Sequence, residues 1–213
     1  IEQEADLASV DGLDVAVPSF MTEICANLTF AARASHQINQ RSGVSVRLSI
    51  ANTEVMVANA IRRSLRSGST SVVPRIVDLD ALPASTAGKI EIETLEEGRD
   101  GEILESLLKS AVLAVFKDRV PPDSHRAVVD AFEGDIVVDT GEDVTDEAYV
   151  AMLDSIPALA VPVKALLSEE DPADAESPAM LASAVEMVLE GLHLSKRLNK
   201  DGGGTKAQFR SRS

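Results

Sequence analysis

Apolar residues recur three or four positions apart along most of this chain, and that spacing constrains the fold more than any motif does. The clearest stripes run over 18–39, 50–66 and 102–117. Such a repeat places the apolar side chains on one face of an α-helix. Only 3% of the residues are aromatic and none is Trp, which favours helices packed through small aliphatic side chains. The sequence therefore predicts a mostly helical fold with at most short strands.

The second half of the chain carries further helix signals. A helix is predicted over 122–132, and Thr145 begins another with acidic residues in its first turn. Helices are also predicted over 161–167 and 178–200, and a short one begins near Pro74. The stretches KIEIE and DIVVDT are the two candidates for short extended segments.

Charge is distributed unevenly along the chain. The segment 33–75 holds seven arginines and a single acid, Glu54, whereas 135–176 holds twelve acids and one base, Lys164. This pattern predicts a bipolar protein. The basic segment is either a solvated helix face or a surface for phosphate or an acidic partner. The net charge of −15 argues against nonspecific binding to nucleic acid or to an anionic membrane.

No motif for covalent or metal catalysis is visible. Gly88 and Lys89 resemble the end of a phosphate-binding loop, but Pro83 stands at the first glycine position and Ile90 at the position of the magnesium-binding hydroxyl. The residues that most often bind zinc stand singly, without the close spacing of zinc sites: His36, His125, His193 and Cys25. We therefore expect no metal site and no catalytic activity in this chain alone.

A cytoplasmic location is expected from the cysteine count and the hydropathy. One cysteine cannot form an intramolecular disulfide, and no apolar run approaches the roughly 18 residues that span a membrane. The first residues, beginning with Ile1, lack both an initiator methionine and a signal-peptide pattern. We therefore expect this chain to begin inside a longer protein.

Two parts of the chain resemble a known family. They are NQRSGVSVRLSIANTEVMVANAIRRSLRSG, followed by VPRIVDLDAL and GKIEIE, and the later stretch EMVLEGLHLSKRLNK. The resemblance is to the region after the ATPase core in actinobacterial magnesium-chelatase-like AAA+ ATPases, and more distantly in MoxR-type ATPases. It covers residues 15–100 and 178–213. The segment between them is included because it is continuous with both, not because it carries a motif of the family.

The resemblance implies a division of the chain and a function. Residues 1–17 would be a linker from an upstream ATPase core, 18–98 a helical AAA+ lid-like domain, 99–200 a C-terminal helical domain and 201–213 a flexible tail. The chain would couple ATP binding and hydrolysis in that core to remodelling of, or chelatase-like action on, a partner protein. ATP and Mg²⁺ would bind the full-length protein rather than this chain alone. The expected partners are the core, neighbouring subunits of a homo-oligomeric ring and an unidentified protein, with no nucleic acid and no membrane.

The family's lid carries a sensor-two arginine in a GxSxR pattern at the start of a helix. Gly43, Ser45 and Arg47 match that pattern, so the resemblance makes Arg47 the first candidate contact to the terminal phosphates of the nucleotide. A positioned guanidinium stabilises the charge that develops on a transferring phosphoryl group. Arg41 is the second candidate. Either arginine could instead contact a neighbouring subunit or form a structural salt bridge with Glu54.

A second function belongs to another class. The chain could be an autonomous helical adaptor whose basic segment docks an acidic partner without any nucleotide. A strand followed by a GxxxxGK[ST] loop in the sequence upstream of Ile1 would favour the ATPase interpretation. An initiator codon directly before Ile1 would favour the adaptor.

Overall fold

A computed structural model describes residues 12–39, 43–93, 99–133, 136–203 and 205–212. Within these residues the chain is mostly helical, as the apolar periodicity predicts. The helices are α1 (Ser19–Ala34), α2 (Arg47–Ser67), α3 (Leu82–Ala87), α4 (Asp100–Arg119), α5 (Pro122–Phe132), α6 (Asp146–Ser155), α7 (Ala160–Leu166), α8 (Pro172–Ala175) and α9 (Pro178–Leu194). Two 3₁₀ helices, Ile76–Ala81 and Pro157–Leu159, precede α3 and α7. The strands are β1 (Asp14–Val15), β2 (Ser71–Val72), β3 (Val137–Thr140), β4 (Leu198–Gly203) and β5 (Lys206–Ser211).

The ends of the first two helices show which boundaries the sequence predicts well. Gly68 adopts a left-handed conformation with φ of 74° and ends α2, as its position after the apolar stripe indicates. The predicted extension of α1 to residue 39 is wrong, because Ser35 is extended and stops the helix. Ile38 instead forms a single antiparallel bridge with Ile92, which is all that remains of the strand expected in KIEIE.

One hydrophobic cluster extends across the expected boundary near residue 98. It joins buried side chains from both sides, among them Phe20 of α1, Val112 and Phe116 of α4 and Val185 of α9. α1 packs mainly on α4, and α4 packs also on α9. The segments expected to form separate helical lobes therefore share a core, because the apolar faces of α1 and α4 are buried against each other.

The centre of this core is α9. All but four of its residues are buried, so it is surrounded by protein on most of its circumference, as a helix that is apolar all round must be. Ser177 caps its start by accepting a hydrogen bond from the amide of Met180 at 3.3 Å. Gly191 lies where α9 meets α4: a Cβ there would fall 2.2 Å from the ring of Phe116. Glycine at this position allows the two helices to approach closely.

Two predictions about the C-terminal end are wrong. The helix predicted over 178–200 ends at Leu194, and the tail expected to be flexible from residue 201 is a β-hairpin within the described residues. β5 pairs antiparallel with both β4 and β3, giving the sheet order β3-β5-β4. Alternate residues of β5, Ala207 and Phe209, are buried while their neighbours are not, which is the pattern of a strand covering a core.

A left-handed residue explains why α9 stops early. Lys196 has φ of 58°, and the amides of Lys196 and Arg197 donate to the carbonyls of His193 and Leu192. This is the Schellman arrangement, which satisfies the last carbonyls of a helix and turns the chain away. The left-handed position of this motif is usually glycine. Here it is Lys196, so the sequence carried no glycine to mark the end of the helix.

No single helix among the described residues is long and apolar enough to cross a membrane. One pair of consecutive segments, Asp146–Ser155 and Pro157–Leu166, meets the length and composition only when the two are taken together, and they are bent by 105°.

We expect the substitution Gly191→Ala to destabilise the protein. The added methyl group would overlap the buried Phe116 ring, and overpacking of this kind costs about 1–3 kcal/mol. This cost exceeds the gain of up to about 1 kcal/mol in helix propensity. Urea denaturation followed by circular dichroism would measure the change. Gly101→Ala is the matched control, because Gly101 is helical with no atom near its would-be Cβ. Equal stability of the two variants would contradict the close packing.

Candidate functional site

Arg47 is the first residue of α2, and its side chain is exposed. Gly43 precedes it with φ of 71°, a left-handed conformation that glycine adopts readily. The hydroxyl of Ser45 accepts a hydrogen bond from the amide of Arg47 at 3.2 Å. Within the described part of the chain, the guanidinium of Arg47 forms no ion pair and no hydrogen bond.

The alternatives for this region have different outcomes. Arg41 lies outside the described residues. The salt bridge considered between Arg47 and Glu54 is not formed, although both residues belong to α2 and are described. They lie seven positions apart, about two helical turns, which is too far for a direct i,i+4 pair. Among the described residues, Arg47 therefore has no carboxylate partner that would give it a purely structural role.

Neighbouring contacts hold the start of α2 in place. The Nε of Arg33 donates to the carbonyl of Val44 at 2.8 Å, and so fixes the loop that leads into Arg47. The hydroxyl of Ser49 donates to that of Thr29 in α1 at 2.7 Å. These bonds anchor the backbone of the helix start while the Arg47 side chain projects from the surface.

Residues that the sequence did not single out form a buried charge network near the other end of α2. Arg63 binds Asp78 through Nη2 at 2.9 Å and also donates to the carbonyl of Val73 at 2.8 Å. Burial alone would lower the pKa of Arg63, but its hydrogen bond with Asp78 and the charge of that carboxylate outweigh burial and raise it. The Asp78 carboxylate also accepts from the amide of Arg75 at 2.8 Å, which caps the first 3₁₀ helix.

Arg75 extends this network to α6 and α9. Its side chain is almost fully buried, with Nε 3.7 Å from Glu186 and Nη1 3.8 Å from Asp146. Nη1 also donates to the carbonyl of Val144 at 3.0 Å, whereas Nε has no hydrogen bond in the described structure. The guanidinium lies 5.2 Å from the ring centre of Tyr149. Arg75 thus joins the 3₁₀ helix to the two helices of the C-terminal half.

Glu186 holds three elements together. Its carboxylate accepts a hydrogen bond from the hydroxyl of Tyr149 at 2.5 Å and another from the backbone amide of Val77 at 3.2 Å. Tyr149 in turn accepts from the amide of Gly141 at 3.2 Å. Burial raises the pKa of Tyr149, and the adjacent Glu186 raises it further, so the phenol remains a donor. A signal for this network was present in the sequence: Glu186 is one of only two acidic residues, with Glu190, in the apolar stretch of α9.

A cleft of about 450 Å³ opens above the network. Its lining includes the basic residues Arg63, Arg66 and Arg75 and the acidic residues Glu142, Asp143 and Asp146. Because both charge signs face this cleft, it offers no uniformly positive surface to a phosphate group.

At the end of α2, salt bridges pair arginines of the basic segment with carboxylates of the acidic segment. Arg62 lies 3.0 Å from Glu142, and Arg66 pairs with both Glu142 and Asp143. These pairs join the basic segment to the acidic segment across about 80 positions of sequence. The arginines at the end of α2 are therefore occupied internally, in contrast to Arg47 at its start.

The scattered histidines do not converge. Among the described residues, no group of three or more His, Cys, Asp and Glu side chains is arranged to hold a metal ion. His125 stacks on Phe116 at 4.9 Å between ring centres, and burial together with the positive charge of Arg197 lowers its pKa. His193 contacts the carbonyl of Leu198 through Nδ1 at 3.2 Å, and the buried Cys25 has its pKa raised to about 12 by burial. These three side chains make packing or hydrogen-bonding contacts within the protein.

Comparison of the chain with protein-family models, with curated proteins and with solved structures found no match. The interpretation of the site therefore depends on its own geometry and on the sequence resemblance.

The buried network generates a stability prediction. We expect Glu186→Gln to destabilise the protein by about 3–5 kcal/mol, because Arg75 would remain buried without its nearest carboxylate. Equilibrium urea denaturation would measure the loss. Glu102→Gln is the matched control, since its pair with Arg99 is exposed and should contribute less than about 1 kcal/mol. A loss at Glu186 no larger than the loss at Glu102 would show that the network does not hold the helices together.

Proposed function

We propose that the chain is the lid and C-terminal regulatory region of an AAA+ ATPase, in which Arg47 contacts the terminal phosphates of a nucleotide bound to a core outside this chain. ATP and Mg²⁺ would bind in that core, and neighbouring subunits of a homo-oligomeric ring would complete the assembly. The result of ATP hydrolysis would be remodelling of a partner protein or a chelatase-like action on it. The proposal combines the GxSxR resemblance with the placement of Arg47.

The observation that carries the proposal is the exposed guanidinium of Arg47, which has no ion pair with any of the described residues. Four other arginines of the same basic segment, Arg62, Arg63, Arg66 and Arg75, each pair with a carboxylate of this chain. An arginine that contributes to phosphoryl transfer must be available to an anion, and a carboxylate partner would compete for it. Arg47 meets this requirement, and the helix start that carries it is anchored by hydrogen bonds.

The position of Arg47 on α2 supports a coupling role. Arg47 and Arg63 lie 16 positions apart on α2, so the helix separates Arg47 from the buried network around Arg63 by about 24 Å. Between these two residues, the side-chain amide of Asn52 donates to the hydroxyl of Thr86 in α3 at 3.1 Å. A rotation of the lid driven by phosphate at one end of α2 would therefore be transmitted to α6 and α9 at the other.

The adaptor alternative is less well supported by the contacts. It requires the basic segment to be available to an acidic partner, but Arg62 and Arg66 already bind Glu142 and Asp143. An acidic partner would have to displace these internal carboxylates, which lowers the net gain from binding. Arg47 alone is a small surface for an adaptor.

The test uses the longer gene product that the proposal requires. We expect Arg47→Ala to lower its rate of ATP hydrolysis at least about tenfold, because a guanidinium that stabilises transition-state charge would be lost. We expect Arg47→Lys to restore only part of the rate, since an ammonium does not pair bidentately with phosphate. Steady-state phosphate release, measured with saturating ATP, gives the comparison.

Arg197→Ala is the matched control, because Arg197 is also exposed and, within the described residues, also without an ion pair. Its rate should equal that of the unsubstituted protein. Two results would contradict the proposal. One is ATP hydrolysis by the purified 213-residue chain alone. The other is a gene in which no phosphate-binding loop precedes this chain.

A further inference from the structure

An apolar groove lies on the side of the C-terminal half formed by α6, α7, α8 and α9. It has a volume of about 560 Å³, and its floor is made of aliphatic side chains: Leu153, Val163, Leu167 and Leu181. Ala160 and Pro172 form exposed parts of its walls. None of these side chains belongs to the Arg47 region or to the buried charge network. The groove therefore needs an explanation of its own.

A further aliphatic side chain is exposed next to the groove in sequence. Val161, next to Ala160 at the start of α7, is 62% exposed and is one of the few large aliphatic side chains on the surface of the described residues. One exposed aliphatic side chain is ordinary, whereas an apolar groove rimmed by polar residues marks a candidate interaction site. α7 contributes Ala160, Val163 and Lys164 to the lining, and such a helix-lined surface groove suits the apolar face of another helix.

The rim of the groove is acidic. Glu176 lines the groove, and Asp174 directly precedes the lining residue Ala175. Both acids are exposed and make no salt bridge in the described structure, and Lys164 is the one base among the lining residues. Nearby acids are already engaged: Glu169 pairs with Arg119 at 2.8 Å, and Glu170 accepts from the amide and the hydroxyl of Ser19. These contacts fix the connection before α8 to α1 and α4. The groove is therefore an anchored structure with unneutralised negative charge beside it.

We infer that this groove binds an amphipathic helix that carries aliphatic side chains on one face and Lys or Arg beside them, supplied by a partner protein. Aliphatic anchors three or four positions apart would enter the groove, and the flanking bases would pair with Asp174 and Glu176. The chain's own residues 1–11 are a poor match, since they contain four acids and no Lys or Arg. The inference does not depend on a nucleotide, so it can fail or succeed independently of the role proposed for Arg47.

The probe for this site is a synthetic helical peptide with leucine along one face and lysine elsewhere. We expect it to shift the methyl resonances of Leu153, Leu167 and Leu181 in the full chain. The methyl groups of Val46 and Val137, which are exposed but do not line the groove, should remain unshifted. A peptide with the same leucines and glutamate in place of lysine should bind at least about tenfold more weakly, because like charges would face the acidic rim.

Ala160→Arg tests the location, because the added side chain would occupy the wall of the groove and repel a basic helix. We expect it to weaken binding of the lysine peptide at least about tenfold. Ala114→Arg is the matched control. Ala114 is exposed on α4, and the substitution adds the same charge away from the groove lining, so it should change the affinity less than about twofold. Fluorescence anisotropy of a labelled peptide gives both dissociation constants.

Three results would overturn the inference. Equal weakening by Ala160→Arg and Ala114→Arg would mean that the peptide responds only to the net charge of −15. Equal affinity for the glutamate peptide would mean that the occupant is not basic. Groove methyl groups that do not respond to the lysine peptide would mean that the groove is covered already, by residues 1–11 or by a second copy of the chain.

Discussion

Burial of the guanidinium of Arg75 is the constraint on which the arrangement of the helices depends. A charge removed from water costs several kcal/mol unless opposite charges and hydrogen bonds replace the water. Here the replacements come from different elements: Glu186 from α9, Asp146 and the ring of Tyr149 from α6, and the carbonyl of Val144. No one of these elements can move away without leaving a buried charge uncompensated. The network therefore specifies how the two halves of the chain meet, beyond what apolar packing alone would require.

α2 connects this network to the surface. Arg63, near the end of the helix, is held by Asp78 inside the protein, whereas Arg47, at its start, faces solvent without a partner among the described residues. The same residue type therefore serves two different purposes on one helix. Burial and a carboxylate make Arg63 a structural residue, while exposure and anchoring of the backbone by Arg33 make Arg47 available to an external anion. This difference is the physical basis of the proposed coupling between phosphate and the C-terminal half.

Some acidic side chains have no salt-bridge partner in the described structure. Glu142 and Asp143 neutralise arginines of α2, and Glu169 pairs with Arg119 of α4. The acids around α8 have no such partner in the described structure, and they lie beside the apolar groove. A surface that combines apolar area with unneutralised charge is suited to a partner of opposite charge. The two proposed binding functions thus use different residues: one depends on a base, and the other on acids, that have no salt-bridge partner among the described residues.

Sequence alone determined the local elements of this protein, because apolar periodicity and capping residues act over a few positions. It predicted the mostly helical fold, the end of α2 at Gly68, the start of α6 at Thr145 and the helical position of Arg47 to within three residues. It did not predict the C-terminal hairpin, since β5 is stabilised by pairing with β3, almost 70 positions earlier. The tertiary structure alone decided that Arg62 and Arg66 of the basic segment pair with Glu142 and Asp143 of the acidic segment, and that Glu186 is buried against Arg75. Those interactions join residues more than 60 positions apart, and their energy depends on burial, which no local pattern encodes.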